Sequence, residues 1–312
     1  MNPWSIFWRQ GHSTTFGQYY AKGYDGKIAE WWDEAIKALP ENPTVIEVGC
    51  GNCSLLSGLV RSGTRGKYIG VDIADVNPSA VAQEGFEESG IELVLHAKTP
   101  AEKLPEEDET ADLVVSVFGI EYSDLSKSLP EAYRVLKKGG KLSTLLHHRD
   151  SVVNYMSYRA YNEFNAKDIE AVLNSLLMIS RERDRSPSLQ ALKDNAVAEE
   201  HRMLLNQFAE QYMSNKDPDT ANIAMFEFMT HALRLFKLLG EDRDTRESFI
   251  QQLAIEHRAS HERYGQMMAV AMDDQVIDGV KSKLRDFGFK EIRAEVIMSD
   301  DKTLAWKLCA EK

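Results

Sequence analysis

Cysteine, long apolar runs and positive charge are all scarce in this chain, and each scarcity excludes a class of protein. Three cysteines among 312 residues give no disulfide framework, so a cytoplasmic location is expected. No apolar run approaches the ~20 residues that span a bilayer, and the N-terminus lacks the basic region and cleavage site of a secretory signal. The formal net charge of −12, without a clustered basic face, argues against a nucleic-acid partner.

The most informative feature that is present is a β-branched run that breaks into a glycine turn. Residues 44–53 read TVIEVGCGNC, and the apolar residues that follow predict a helix. A buried parallel strand, a glycine turn and a helix N-terminus form the ligand site of doubly wound α/β folds. Because the carboxylate of Glu47 would repel a phosphate, this turn favours a cationic or hydrogen-bond-donating ligand, such as S-adenosylmethionine, over NAD.

Further strand patterns follow at the spacing expected of such a fold. Residues 67–73 are a second β-rich run, and Asp72 near its end is placed to accept ribose hydroxyls, in NAD and S-adenosylmethionine alike. Residues 111–118 predict another strand, and a helix at 125–136 leads through a lysine-glycine turn into a further one. Strands that alternate with helices predict βαβ units and a parallel sheet.

Five segments in this order make the chain resemble the class I S-adenosylmethionine-dependent methyltransferases. They read EVGCGNC at 47–53, GVD at 70–72, AEKLP at 101–105, ADLVVSVFGIEY at 111–122 and YRVLKKGGKL at 133–142. The resemblance implies methyltransferase activity (EC 2.1.1) with S-adenosyl-L-methionine as cofactor. It also implies a Rossmann-like, doubly wound, seven-stranded sheet, mostly parallel with an antiparallel last strand. It does not identify the methyl acceptor.

The resemblance assigns cofactor-binding roles by position. Glu47 and the backbone at Gly49 and Gly51 would hold the amino-acid part of the cofactor, Asp72 would hold the ribose, and Ile73 would pack on the adenine. The remaining cofactor-binding positions border the adenine or lie beneath the methionine portion, and they are Thr99, Ala101, Glu102, Phe118 and Gly119.

Two positions depart from the family pattern. Cys53 replaces the third glycine of the loop, at a position expected to serve mainly packing. Pro100 replaces an aspartate that often binds the adenine amine, which leaves backbone groups or Thr99 for that role. Cys50 and Cys53 form a C-x-x-C, but zinc would need two more ligands and a redox motif would need a thioredoxin-like unit. We interpret both cysteines as filling a tight loop, and no metal site is predicted.

The chain divides by pattern into a core and two additions. Residues 43–150 and 275–312 form the predicted cofactor-binding core, and residues 1–42 hold aromatics that could close over the cofactor as a lid or pack on the sheet. Residues 151–274 lose the strand pattern and show helical periodicity. Because this helical block leaves from the end of the fifth strand, beside the expected ligand site, we interpret it as a cap over the substrate. A dimerisation or stabilising block is the alternative.

Side chains after the fourth and fifth strands are candidates for the chemistry. His147 and His148 could take a proton from the acceptor, because histidine titrates near neutrality, and alternation along a strand lets one of them face the pocket. Glu121 is the third catalytic candidate. Ordinary core or loop packing explains these residues as well. The predicted acceptor-binding residues are Tyr19, Tyr20, Tyr122 and Arg149.

The sequence therefore predicts a methyltransferase that acts on a small-molecule acceptor under a helical cap. An oxygen, nitrogen or sulfur atom is expected as the acceptor before carbon, and no nucleic-acid or membrane partner is expected. A homodimer is compatible with the sequence. The alternatives are a non-catalytic, S-adenosylmethionine-binding regulatory protein and a nicotinamide-dependent oxidoreductase on a similar core.

Overall fold

The chain folds into two compact units that are interleaved in sequence. The computed structural model describes residues 2–17, 23–77, 86–217 and 219–312. One unit comprises Met1–Tyr155 and Gln266–Lys312, and the other comprises Met156–Gly265. The second unit falls within the helical stretch, residues 151–274, that the sequence pattern sets apart.

A seven-stranded sheet forms the centre of the first unit. Its strands are β1 (Thr44–Val48), β2 (Gly66–Asp72), β3 (Ile91–Ala97), β4 (Ala111–Val117), β5 (Leu136–His147), β6 (Lys290–Ser299) and β7 (Lys302–Glu311). The order across the sheet is β3-β2-β1-β4-β5-β7-β6. β1 to β5 pair in parallel, and β7 runs antiparallel to both β5 and β6. The predicted fold class, a mostly parallel sheet with an antiparallel last strand, is confirmed.

The composition of β1 and β4 explains why they lie at the centre of the sheet. They read TVIEV and ADLVVSV, and all but one residue of each strand is buried. Strands that are covered on both faces read as continuous apolar runs, whereas β6, at the edge, is mostly exposed. Polar side chains at the ends of the central strands are therefore buried, and each one needs a hydrogen-bond partner.

Among the described residues, five helices precede β5 along the chain. They are α1 (Pro3–Arg9), α2 (Gly26–Lys37), α3 (Leu56–Ser62), α4 (Phe86–Ser89) and α5 (Leu125–Val135), with a 3-10 turn at Ile120–Tyr122. α5 begins after Asp124, whose carboxylate accepts a hydrogen bond from the Ser126 N–H and so caps the helix. Leu129 and Val135 of α5 pack into the main apolar core with residues of the central strands, such as Val114.

The second unit is helical throughout the residues that the structure describes. Its helices, including two that extend into the first unit, are α6 (Val152–Asn162), α7 (Ala166–Arg185), α8 (Leu189–Lys193), α9 (Ala196–Met213), α10 (Ile223–Ala232) and α11 (Arg243–Val270), with a 3-10 turn at Leu233–Lys237. Asparagine side chains cap three of them, at Asn165, Asn195 and Asn222. Val172 and Phe228 belong to an apolar core of the unit's own.

The last helix, α12 (Asp274–Asp286), belongs to the first unit and packs on the core of the sheet through Ile277, Val280 and Leu284. β6 and β7 then complete the sheet. Across the described part of the chain, no helix combines the length and the apolar character that a membrane crossing requires.

Candidate functional site

The candidate site lies where β2, β1, β4 and β5, neighbours in the sheet, reach their carboxyl ends. Ligands of open α/β sheets bind at this edge. The loop after β1 and the loop after β4 meet here through two glycines. A Cβ atom on Gly49 would lie 2.6 Å from the Gly119 Cα atom, and Gly49 has φ +70°, so only glycine fits.

Ser116 locks these two loops together. Its Oγ donates a hydrogen bond to the Val48 carbonyl oxygen (2.7 Å) and accepts one from the Ile120 N–H (2.9 Å). Because Ser116 is fully buried at the end of β4, both bonds are shielded from water. The backbone on either side of the site is therefore held in one geometry before any ligand binds.

Asp72, the predicted ribose-binding residue, also holds the glycine loop. Its Oδ2 accepts a hydrogen bond from the Gly51 N–H (2.8 Å), and its Oδ1 accepts one from the Ala74 N–H (2.8 Å). Burial raises the pKa of Asp72, and these two N–H groups partly offset that rise. Each carboxylate oxygen keeps further acceptor capacity, so Asp72 can fix the loop and still accept hydroxyl groups.

Glu47 is a buried carboxyl group with an unsatisfied oxygen. Its side chain is 2 % exposed, and its Oε2 atom has no hydrogen-bond partner among the described residues. Burial raises the pKa of Glu47 well above its ordinary value, and nearby Cys53 and Asp72 raise it further. A buried carboxyl oxygen without a partner is costly. Glu47 therefore suits a ligand that brings a cation or a hydrogen-bond donor.

Cys53 occupies the third glycine position with φ +59°, in the left-handed region. The expectation that this position serves mainly packing is therefore incomplete, since the backbone conformation also favours glycine. The sulfur atoms of Cys50 and Cys53 both pack over Gly70 of β2, where a Cβ atom would lie 2.9 Å and 3.1 Å from them. Both thiols are free and buried. The residues that the structure describes contain no group of three or more potential ligands arranged for a metal ion.

The segments expected to border the adenine differ in their exposure. Ile73 is 56 % exposed, next to the buried Asp72. The Thr99 hydroxyl donates to the Ala97 carbonyl oxygen (3.2 Å), the Ala101 side chain packs on the main core, and Glu102 accepts a hydrogen bond from the Asp124 N–H (2.8 Å). The polar side chains of this segment are thus engaged within the protein, which leaves the Ile73 side chain and backbone groups for a planar ring.

Phe118, His147 and Tyr122 form an aromatic group at the ends of β4 and β5. The Phe118 and His147 rings stack with their centroids 4.6 Å apart, and the His147 Nε2 atom lies 3.0 Å from the Tyr122 hydroxyl. Burial alone lowers the pKa of His147 to about 3. His147 is therefore a neutral imidazole at physiological pH, well placed for a hydrogen bond and weak as a proton acceptor.

Glu121 holds the backbone of His147, a member of this aromatic group, in place. Its Oε1 atom accepts a hydrogen bond from the His147 N–H (3.0 Å), and its Oε2 atom has no partner among the described residues. Burial raises the pKa of Glu121 to about 8. The carboxyl group thus bridges the ends of β4 and β5 and adds a second unsatisfied oxygen to the site.

Two predicted residues lie outside this group. His148 stacks on Trp306 at a centroid distance of 4.7 Å, and its Nδ1 atom accepts a hydrogen bond from the Asp150 N–H (3.0 Å). The alternation of side chains along β5 explains why His147 joins Phe118 and His148 does not. Arg149 forms an ion pair with Asp273 and is exposed.

The N-terminal segment lies against the glycine loop. The Trp8 ring fills the space beside Gly51, where a Cβ atom would lie 2.4 Å from it. Asn52 donates hydrogen bonds from Nδ2 to the carbonyl oxygens of Trp8 (3.0 Å) and His12 (2.9 Å). The Phe16 ring contacts Phe118 at a centroid distance of 5.4 Å. The tyrosines predicted to contact the acceptor from this segment, Tyr19 and Tyr20, lie outside the described residues.

A groove of about 740 Å³ lies at the amino ends of the parallel strands, opposite the candidate site. It is lined by α2, by the first residues of β4 and β5 and by the last residues of β7. Since ligands of parallel sheets bind at the carboxyl ends of the strands, this groove is separate from the candidate site.

Comparison with known proteins identifies the region that carries the site. Residues 46–144 match the model of a family described as "Methyltransferase domain". The ubiquinone/menaquinone biosynthesis C-methyltransferase of Rickettsia bellii is 32% identical over 121 residues, which is 37% of this chain and 49% of that protein. The demethylmenaquinone methyltransferase of Bacillus cytotoxicus is 30% identical over 129 residues, 40% of this chain and 54% of that protein.

The chain thus spans about half the length of the curated relatives it matches. Among solved structures, an S-adenosylmethionine dependent methyltransferase from Mesorhizobium loti is similar to it at 22% identity, with a TM-score of 0.32. That likeness covers 39% of this chain and 55% of the other. The region that matches the family model, residues 46–144, contains the glycine loop and Asp72.

Proposed function

We propose that this chain, whose residues 46–144 match the model of a methyltransferase domain, is a class I S-adenosylmethionine-dependent methyltransferase that transfers a methyl group to a small-molecule acceptor. The observation that carries the proposal is the buried Glu47 carboxyl, whose Oε2 atom lacks a partner beside the glycine loop. An α-amino group would supply the missing hydrogen bond and a compensating positive charge.

The sign of the buried charge supports this cofactor over a nicotinamide dinucleotide. Glu47, Asp72 and Glu121 are buried in the first unit, and no lysine or arginine among its described residues is buried. These three buried carboxyl groups offer no positive charge to a pyrophosphate, and they ionise more readily beside a sulfonium or an ammonium group. The oxidoreductase alternative has no comparable support.

The proposed cofactor roles follow the geometry of the loop. Glu47 would bind the amino group, Asp72 would bind the ribose hydroxyls while it holds Gly51, and the exposed Ile73 would pack on the adenine. The backbone at Gly49 and Gly119, where the two loops touch, would border the methionine portion. When bound, S-adenosylmethionine supplies an electrophilic methyl group on a sulfonium.

Orientation of the acceptor, rather than strong base catalysis, is the role that we assign to the aromatic group. The depressed pKa of His147, about 3, makes it a poor base but leaves a neutral hydrogen-bonding partner for Tyr122. Tyr122 and Phe118 would position an acceptor for in-line displacement, where alignment can supply up to ~7–11 kcal/mol of the barrier. Glu121 would keep the His147 backbone in place.

The acceptor atom is left open in this proposal. The expectation of oxygen, nitrogen or sulfur before carbon finds no support among the relatives, because one of them is named as a C-methyltransferase. An acceptor that is already nucleophilic, such as an electron-rich ring carbon or an amine, also suits a site whose histidine is a weak base. Carbon is therefore included among the proposed acceptor atoms.

We assign the helical unit, Met156–Gly265, the role of a substrate cap. The unit is inserted after β5, the strand that ends at His147. A chain segment that leaves the carboxyl edge of a parallel sheet starts at the edge where ligands bind. A role in dimerisation or stability remains the alternative for this unit.

Calorimetric titration tests the proposal. S-Adenosylmethionine and S-adenosylhomocysteine should bind the wild type, and NAD should not. Glu47→Gln should weaken binding of S-adenosylmethionine about tenfold or more, because it removes one charged hydrogen bond. Asp33→Ala, an exposed aspartate on α2, is the control and should leave affinity unchanged. Binding of NAD in place of the other two ligands would overturn the assignment.

Turnover separates the enzyme from the non-catalytic alternative. A screen of small acceptors with methyl-labelled S-adenosylmethionine should give a labelled product, and Tyr122→Phe should lower the rate with little change in cofactor affinity. Full cofactor binding, together with no transfer to any class of acceptor, would favour the regulatory protein instead.

A further inference from the structure

β6 is an edge strand whose outer side is unpaired. It lies at the end of the sheet, and β7 is its one neighbour among the described strands. Most of its ten residues are exposed. An exposed edge presents a row of unpaired N–H and C=O groups, which is a template for pairing with another chain.

The middle of β6 is regular, whereas its two ends are not. The ladder with β7 runs without interruption from Arg293 to Ile297, and its register shifts between Lys290 and Arg293 and again between Ile297 and Met298. Val296 is 38% exposed and Met298 is 44% exposed, so this edge presents apolar side chains as well as charged ones. Arg293 to Ile297 is therefore the stretch that can pair with a further strand.

We propose that a second copy of this chain pairs antiparallel with β6 around a two-fold axis at Ala294. This register places Arg293 opposite the partner's Glu295, and Glu295 opposite the partner's Arg293. Opposed side chains in an antiparallel pair have Cβ atoms about 4.5–5.5 Å apart, which is within reach of an ion pair. The two sheets then join into one sheet that continues across the axis.

The contacts that Arg293 and Glu295 make within one copy suit this pairing. Glu295 lies 3.0 Å from the Lys307 Nζ, so its carboxylate is held on one face of the sheet. Arg293 lies on the same face, two residues away, and its 79% exposed side chain forms an ion pair (3.3 Å) with Glu291, which is itself 69% exposed. The guanidinium can therefore bind a carboxylate of the partner without breaking a buried contact.

The opposite face of β6 pairs apolar side chains in the same register. Ile292 would lie opposite the partner's Val296, and Ile292 and Ala294 already pack on the main core. Pairing would cover the exposed Val296 side chain. Charge and apolar contacts thus favour a single register on both faces.

Other registers lose one of these sets of contacts. An axis at Ile292 would pair Glu291 with the partner's Arg293, but it would use the irregular end of the strand, where Glu291 has φ +47°. A register shifted by one residue would place every side chain on the face of the sheet opposite to that of its intended partner. The axis at Ala294 therefore follows from the positions of both charges and apolar residues.

Sedimentation of the full chain over a range of concentrations tests the proposal. The wild type should form a dimer that dissociates on dilution. Arg293→Glu and Glu295→Arg each set like charges opposite one another at two symmetric places, so each should raise the dissociation constant about tenfold. The double variant restores opposite charges and should dimerise as the wild type does. Glu92→Lys on β3, the other edge of the sheet, is the matched control.

Each outcome bears on the proposal directly. A wild type that stays monomeric at every concentration, or a dimer that neither single variant weakens, would overturn it. Failure of the double variant to recover, with an unchanged thermal unfolding temperature, would overturn the register at Ala294. Cofactor titration of the same variants should match the wild type, because β6 lies away from the glycine loop.

Discussion

Glu47 and Glu121 lower the stability of the folded chain, because burying an incompletely hydrogen-bonded carboxyl group costs free energy. Each carboxyl is buried, and each has one oxygen without a partner among the described residues. Burial raises the pKa of both groups. Burial disfavours the ionised form of such a carboxyl group, and the group ionises more readily when a cation arrives beside it.

The pKa of Glu121 predicts how stability depends on pH. The folded value is about 8 and the ordinary value is 4.5, so the folded chain binds more protons between these two pH values. The free energy of unfolding should therefore fall as pH rises through this interval, and Glu121 should add no further change above it. Glu121→Gln removes this contribution. Chemical unfolding at a series of pH values should show the variant gaining stability relative to the wild type up to about pH 8.

Glu107→Gln is the control for that series. Glu107 is exposed, so its substitution should leave the pH dependence of the wild type in place. Parallel curves for Glu121→Gln and the wild type would show that Glu121 does not titrate in this range.

At the residue scale, sequence patterns identify the polar groups of the site but not their partners. The resemblance assigns Asp72 to the ribose, yet its bonds to the N–H groups of Gly51 and Ala74 depend on the three-dimensional path of the loop. The left-handed backbone of Cys53 also cannot be predicted from its residue type, because cysteine rarely adopts that conformation. Hydrogen bonds between distant residues follow from the fold and not from local spacing.

At the scale of the elements, two loops that touch through glycine define the site. Gly49 and Gly63 both have φ near +70°, but a Cβ atom on Gly49 would meet the Gly119 backbone, and one on Gly63 would meet nothing within 4 Å. Comparing these two glycines therefore separates the energetic cost of a left-handed backbone from the cost of a steric contact.

Alanine at the two glycines should therefore have unequal effects. Gly63→Ala should cost about 1 kcal/mol for its left-handed backbone. Gly49→Ala should cost about 2 kcal/mol more, because the loops must also move apart. Urea unfolding measures both values, and equal losses would mean that the contact with Gly119 relaxes freely.

Sequence patterns predict the central strands better than the short peripheral elements. β1 and β4 stand out because strands buried on both faces read as continuous apolar runs. The aromatic residues of α1 fit a lid over the cofactor or a helix packed on the sheet equally well, so the sequence pattern does not choose between them. The sequence pattern does not assign residues to β3, since its side chains are only partly buried and it lies at the edge of the sheet. Edge strands carry weaker apolar patterns than central ones.

At the scale of the whole molecule, the apolar core of the sheet and that of the helical unit have none of the described residues in common. The core of the sheet includes Val114 and Leu142, and the core of the helical unit includes Val172 and Phe228. The proposed cofactor site belongs entirely to the first unit. Ligand binding should therefore act on the stability of one unit more than on the other.

Calorimetric unfolding should resolve two transitions. S-Adenosylmethionine at about 100 times its dissociation constant should stabilise the unit that binds it by about 2.7 kcal/mol. One transition should therefore move to higher temperature, and the other should stay in place. A single transition that moves as a whole would mean that the two units unfold together.

The position of Trp8 gives the molecule an optical reporter of its own. The indole ring lies against Gly51, on the loop proposed to hold the cofactor, and it is buried. Indole emission shifts with the polarity around the ring, so a change in the loop changes the colour of the emitted light. Trp8, one of the five tryptophans of the chain, is therefore a natural fluorophore at the proposed cofactor site, without the attachment of any dye.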